Sequence, residues 1–156
     1  MPTALLAEGT WIYADTVNAC YEGVDQAGGL PEGCIGEAAE LCMESEAGGY
    51  STSGMVLCLA GEQDSWDVFL NAEYQSARDA AARRDGYYST TDPNFAGSAE
   101  SWIAAQRAWI TFRDANCTMK YDAWGNGSIR RVIGVDCQMQ MTAERAIELR
   151  QYRQQN

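Results

Sequence analysis

The spacing of apolar residues along the chain predicts mainly helices, one of them long. After residue 51, apolar side chains recur at steps of three and four residues, which is the period of one helical face. Ser51 or Thr52 is a suitable N-cap for this helix, and the next helix-breaking signal is Asp85-Gly86. The residues predicted to share its inward face are Trp66, Phe69, Leu70, Tyr74, Ala77 and Ala81.

Four further helices are predicted around this one, because glycine and proline residues divide the remaining sequence into Ala-, Glu-, Arg- and Gln-rich segments. Their expected spans are about 10–26, 33–46, 98–124 and 128 to near the C-terminus, with a loop over 86–97. The helix over 98–124 is expected to turn inward Trp102, Ala105, Trp109 and Phe112, with Thr111 and Cys117 as further candidates.

One segment leaves two structures open, since residues 133–141 alternate apolar and polar side chains in the manner of a strand. A helix is favoured there because the flanking sequence is helical and no partner strand is predicted. The expected fold class is therefore all-α: a disulfide-stapled helical bundle of about five helices, three of them long, in a single domain over residues 1–156.

Six cysteines can add covalent constraints to this fold, because they can bridge helices across turns. None forms a C-x-x-C pair, so the usual zinc and redox spacings are absent. Residues at equal distances from a turn face each other when helices flank it, and a disulfide needs such proximity. Fifteen pairings, or six reduced cysteines, remain open, but the sequential pairs around glycine turns are favoured: Cys20–Cys34, Cys42–Cys58 and Cys117–Cys137.

Three disulfides would indicate an oxidising compartment, so we expect a periplasmic or extracellular protein, with a reduced cytosolic protein as the alternative. The start Met1-Pro2-Thr3 lacks the charged and apolar regions of a signal peptide, so we expect a mature chain with an added methionine. The longest apolar run is Met55 to Ala60, which is too short to span a membrane.

The composition limits the chemistry. The chain has 11 basic and 22 acidic residues, a net charge of −11 and no histidine. The negative charge argues against nucleic-acid binding, and the missing histidine removes Ser-His-Asp and Cys-His catalysis. Leu, Ile, Val and Phe are sparse, a composition that with high charge favours disorder, but Trp, Tyr, Met and Ala supply other core material. We expect a folded protein that is not an enzyme and needs no cofactor.

The charge is also unevenly distributed. Residues 1–77 contain 13 acidic and no basic residues, whereas residues 78–156 contain 11 basic and 9 acidic residues. In the second predicted helix, Glu37, Glu40 and Glu44 share one face. This face is open to three interpretations: a solvated surface, a surface neutralised by arginines of the C-terminal helices, or a docking surface for a cationic partner.

Three residue clusters carry a resemblance to a known family. Their order and spacing resemble the LprI-type family of lysozyme inhibitors over about residues 42–150. The clusters are Asp67-x-x-Leu70-Asn71-x-x-Tyr74, then Gln106-Arg107-Ala108-Trp109-x-x-Phe112-Arg113-Asp114-x-x-Cys117, and then Gly127-Ser128, Cys137 and Thr142-x-x-Arg145-x-x-x-Leu149.

The resemblance implies a secreted or periplasmic helical core over about 42–150, with disulfides like Cys42–Cys58 and Cys117–Cys137, and inhibition of c-type lysozyme. Residues 1–41 are then an N-terminal extension tied by the third disulfide. We interpret the cluster residues as structural, and expect Arg113 to pair with Asp67 and Asn71 and so to fix the register of two antiparallel helices. A weaker alternative is that Asp67 and its neighbours form an active site.

The partner-binding surface is expected in the acidic half. Animal-type lysozymes are strongly basic, so Glu37, Glu40 and Glu44 would attract one, and the turn containing Tyr50 and Ser51 would enter its cleft. The 86–97 loop is a second candidate for that insertion. The alternative is a non-inhibitory binding module of the cell envelope that takes a cationic protein, a cationic peptide or a metal ion.

Overall fold

The computed structural model describes residues 11–155, without the side chains of residues 25–27. The expected helix start at residue 10 and the N-terminal residues Met1-Pro2-Thr3 lie outside these residues. Within 11–155 the chain forms α-helices and short 3₁₀ turns but no strand, which confirms the all-α, disulfide-stapled class. The helices are α1 (Ala14–Ala27), α2 (Glu37–Ser45), α3 (Thr52–Thr91), α4 (Ser98–Asp122) and α5 (Arg130–Gln155).

The three long helices form an up-down-up bundle. Val56 of α3 and Val135 of α5 line one cavity, and Glu73 and Arg153 pair further along, so these two helices run in the same direction. The Trp66 side chain is fully buried at the centre of the core. The other buried members of this core include Leu59, Leu70, Met139, Ala143, Ala146 and Ile147.

The two short helices cover one end of this bundle. On α1, Tyr21 contacts the rings of Trp66 and Phe69 and lies beneath the Arg150 guanidinium at 4.3 Å. Trp11, just before α1, packs so closely on α3 that a side chain at Gly61 would lie 2.4 Å from its ring. The described part of the N-terminal extension, residues 11–41, thus contributes to the same packed core as α3 and α5.

Disulfides tie these elements together towards the end of the bundle where α3 and α5 begin. Cys20 and Cys34 join α1 to the 3₁₀ turn Pro31–Cys34, with their Cα atoms 5.8 Å apart. Cys42–Cys58 joins α2 to α3, and Cys117–Cys137 joins α4 to α5. These are the three pairs that the glycine-turn spacing favours.

Two predicted boundaries are wrong for local reasons. The expected loop over 86–97 is helical as far as Thr91, because Gly86 in α3 costs only about 1 kcal/mol and Asp92, before Pro93, is the residue forced into extended backbone. The expected helix over 33–46 begins only at Glu37, since Gly36 has a positive φ of 89°. The strand-like alternation over 133–141 lies inside α5.

The inward face of α4 also differs from the prediction. Phe112 and Ala105 are exposed, with Phe112 at 61%, whereas Gln106 is 5% exposed. On this face α5 supplies a polar partner. Arg145 donates to Gln106 Oε1 over 3.1 Å, so the buried amide is satisfied.

Candidate functional site

A buried carboxylate on α3 positions the acidic helix α2. Glu62 has no exposed surface, and its carboxylate oxygens accept the backbone N–H groups of Gly36 over 2.6 Å and Ala39 over 2.7 Å. It also accepts Trp66 Nε1–H over 2.9 Å. Gly36 and Ala39 belong to the first turn of α2, whose N–H groups lack partners within the helix. Glu62 therefore caps α2 from a different helix.

The turn between α2 and α3 depends on glycines that allow close backbone contact. A Cβ on Gly49 would lie 2.1 Å from the Met43 carbonyl oxygen, and one on Gly54 would lie 2.2 Å from that of Gly48. Ser51 is the N-cap of α3, and its Oγ accepts the Gly54 N–H over 3.0 Å. The turn is thus held by its own backbone, by this cap and by the neighbouring Cys42–Cys58 disulfide.

The acidic residues of α2 lie on the outside of this arrangement. We call Glu37, Glu40, Glu44 and Glu46 the acidic face; all four are exposed, and no ion pair within residues 11–155 involves them. On α5, Arg145 pairs with Glu148 and Arg153 pairs with Glu73, away from this face. The acidic face is therefore not neutralised by the C-terminal helices.

Two tyrosines are bound to the acidic face. Tyr50 donates its hydroxyl to Glu40 Oε1, and this hydrogen bond to a carboxylate raises the pKa of Tyr50 to about 12. Tyr13 donates to Glu46 Oε1 over 2.7 Å, which likewise raises the pKa of Tyr13 above its ordinary value. Both hydroxyls thus stay protonated at neutral pH, and the 46–51 turn is tied to α2 and to the start of α1.

Beside the acidic face lies an apolar groove of about 460 Å³. The groove runs between the start of α1, the 46–51 turn and α3, with the Cys42–Cys58 disulfide in its wall. Its most exposed apolar side chains are Ile12 at 77% and Leu57 at 71%. The residues that we use to define it are Trp11, Ile12, Tyr13, Glu46, Leu57 and that disulfide.

The second sequence cluster joins α4 to α5. Arg113 donates to Thr142 Oγ1 over 3.3 Å and to Asp114, and its guanidinium lies 5.2 Å from the centre of the Trp109 ring. The Arg145 guanidinium lies 5.8 Å from the same ring centre. Thr142 and Arg145 belong to the third cluster, so the second and third clusters meet at one helix–helix contact. Arg107 is exposed on α4.

The first cluster lies apart from this contact. Asn71 donates to Asp67 within α3 over 2.9 Å, and Tyr74 lies beneath the guanidinium of Arg78 on the same helix. The expected pairing of Arg113 with Asp67 is wrong, because Thr142 and Asp114 take the Arg113 donors and Asn71 takes Asp67. The second and third clusters therefore meet between α4 and α5, whereas the polar contacts of the first cluster lie within α3.

Metal-ligand geometry occurs once among the described residues, where Cys20, Cys34 and Glu37 have donor atoms within 4.8 Å of one another. The two cysteines are joined in a disulfide, so their sulfurs are not thiolate ligands. None of the helices in the described part of the chain has the length and apolar character required to cross a bilayer.

Sequence reasoning missed the Glu62 cap and the apolar groove. A signal for Glu62 existed, because it falls on the helical face that also carries Leu59 and Trp66, where a carboxylate needs partners. No comparable signal marks the groove, since Ile12 and Leu57 lie 45 positions apart and meet only through the packing of Trp11 on Gly61.

Comparison with known proteins agrees with the cluster pattern. A family model described as "Lysozyme inhibitor LprI" matches residues 42–149. An uncharacterized protein of Rhizobium meliloti (strain 1021) is 32% identical over 104 residues, covering 65% of this chain and 74% of the relative. An uncharacterized 17.7 kDa protein from the puhA 5′ region of Rhodobacter capsulatus is 25% identical over 117 residues, covering 74% of this chain and 72% of the relative. No solved structure gives a significant match. The family match spans well over half of the residues of this chain, and the chain therefore belongs to the LprI family of lysozyme inhibitors.

Proposed function

We propose that this protein is a periplasmic or secreted inhibitor of a cationic c-type lysozyme, and that the acidic face is where the lysozyme docks. The role is binding rather than catalysis. Membership of a family described as lysozyme inhibitors supports the partner class. The three disulfides support the compartment, because structural disulfides persist where the environment is oxidising.

The observation that carries the docking proposal is the acidic face itself. Glu37, Glu40 and Glu44 are exposed on one side of α2 and make no ion pair within the described residues. The helices α1 and α2 contain acidic but no basic residues, so the acidic face carries a negative local field. Such a field raises the association rate of a cationic protein and orients it before contact.

The turn over residues 46–51 is the element we propose to enter the lysozyme cleft. It is held by the Cys42–Cys58 disulfide, by the Tyr50–Glu40 hydrogen bond and by the Ser51 cap, so little conformational entropy is lost when it binds. Tyr50 is 56% exposed at the tip and is the natural contact residue, because an aromatic ring buries a large area at low entropic cost. Ser51 supports the turn from within.

Charge reversal tests the docking surface. The triple variant Glu37→Lys, Glu40→Lys and Glu44→Lys should lower the association rate constant for c-type lysozyme about tenfold or more at low salt, and much less at high salt. The matched control reverses Asp79, Glu100 and Glu144, which are exposed and lie in the other half of the sequence. The control changes net charge by the same amount and should lower the rate clearly less.

Stopped-flow association at several salt concentrations gives both rates, and circular dichroism checks that each variant is folded. Equal slowing by the two variants would mean that net charge, rather than the acidic face, attracts the partner. Full inhibition of lysozyme by the triple variant at low salt, with an unchanged association rate, would remove the acidic face from the interface.

A further inference from the structure

The apolar groove beside the acidic face has the features of an anchor site. Two large aliphatic side chains, Ile12 and Leu57, are more than two-thirds exposed and line one cavity of about 460 Å³. Contiguous exposed apolar surface on a folded protein marks an interaction site more often than scattered single residues do. The cavity is large enough for one or two bulky side chains of a partner.

The walls of the groove are held in place in the unbound chain. Trp11 packs against Gly61 with no room for a side chain there, and Tyr13 is hydrogen-bonded to Glu46 over 2.7 Å. The opposite wall contains the Cys42–Cys58 disulfide. Because these contacts already exist, an incoming side chain meets a preformed cavity and pays little ordering entropy.

The charge around the groove determines which partner fits. Glu46 belongs both to the groove wall and to the acidic face, and the adjoining turn carries Tyr50 bound to Glu40. When an apolar side chain of the partner enters the groove, the residues beside it in the partner's sequence therefore pass over carboxylates. Lysine or arginine residues beside the anchor match this surface, whereas acidic ones are repelled.

We infer that this groove binds an apolar side chain of the cationic partner, flanked there by lysine or arginine. The inference rests on the proposed function, since it concerns the same lysozyme. It assigns a different role to each surface: the acidic face sets how fast the partner arrives, and the groove sets how long it stays. Desolvated apolar anchors act mainly on dissociation, whereas exposed charges act mainly on association.

The test uses the full chain, c-type lysozyme as the probe, and substitutions at exposed positions. Ile12→Ser and Leu57→Ser should each raise the dissociation rate constant about tenfold, with the association rate constant changed less than about twofold. Val68→Ser is the matched control, because Val68 lies on the same helix as Leu57, is 68% exposed and lies outside the groove. It should leave both constants unchanged.

Surface plasmon resonance separates the two rate constants, and the melting temperature of each variant is measured alongside. If the unsubstituted protein binds lysozyme and both groove variants dissociate as slowly as it does, the groove is not the anchor site and the proposed function stands. If Leu57→Ser lowers the melting temperature by several degrees and leaves binding unchanged, residues of this chain itself fill the groove, which also overturns the inference. Absence of any lysozyme binding by the unsubstituted protein contradicts the proposed function, and this role for the groove fails with it.

Discussion

Removing the Glu62 carboxylate should release α2, the helix that carries the acidic face. Glu62→Ala leaves three donors without their acceptor: Trp66 Nε1–H and the N–H groups of Ala39 and Gly36. The first two are buried, and each unsatisfied buried donor costs about 1–3 kcal/mol, while Gly36 is partly open to water. The total is about 4 kcal/mol, a large fraction of the 5–15 kcal/mol by which domains are usually stable.

Urea unfolding followed by tryptophan fluorescence measures this loss, with the disulfides intact. For a chain of this length, about 4 kcal/mol corresponds to a fall in melting temperature of roughly 8–16 °C. Glu62→Gln should lose less, because one carbonyl oxygen remains, although its amide group then faces an N–H donor. Asp64→Ala is the control: it removes the neighbouring, exposed carboxylate of α3 and should change stability by less than about 0.5 kcal/mol.

Hydrogen exchange of the α2 amides distinguishes local release of this helix from global unfolding. The Cys42–Cys58 disulfide keeps α2 tethered, so faster exchange confined to residues 37–45 would show that the cap acts on α2 alone. A Glu62→Ala protein within about 1 kcal/mol of the parent, with unchanged exchange in α2, would refute the capping role.

Two other predictions concern packing and pH. Gly54→Ala should destabilise the protein by about 1–3 kcal/mol in urea unfolding, because its Cβ would meet the Gly48 carbonyl oxygen. Gly86→Ala, on the same helix, places its Cβ where no atom lies within 4 Å and should raise the free energy of unfolding by about 0.5–1 kcal/mol. A change of the same sign in both variants would contradict the role of the tight turn. Burial raises the pKa of Tyr21 from 10.0 to about 12, so the folded chain keeps a proton that the unfolded chain loses. The free energy of unfolding should therefore fall as pH rises from about 10 to about 12. Tyr21→Phe should show a smaller fall over that interval, and an identical fall would exclude Tyr21 as a source of the alkaline sensitivity.

The helices could be predicted from the sequence because they follow local rules. The face containing Trp66, Leu70 and Ala77 repeats at helical spacing and is buried or half-buried in α3. The errors arise where a local signal competes with tertiary contacts. Gly86 looks like a stop but is tolerated in a helix, while Gln106 looks like a surface residue but is satisfied by Arg145 from α5.

Only part of the candidate site could be predicted from the sequence. The face shared by Glu37, Glu40 and Glu44 follows from helical spacing, whereas the lack of an arginine partner from α5 is visible only in the structure. The Glu62 cap and the apolar groove depend on which helix packs against which, and composition carries no such information. For the same reason the sequence does not reveal that the partners of Arg113 are Thr142 on α5 and the adjacent Asp114, rather than Asp67 on α3.

Titration of lysis shows whether this protein inhibits a cationic lysozyme. Lysis of bacterial cell walls by c-type lysozyme is followed as the disulfide-intact protein is added at low salt. We expect inhibition that saturates near one protein molecule per lysozyme and weakens as salt is added. Unchanged lysis at a large molar excess, with the protein still folded, would contradict it.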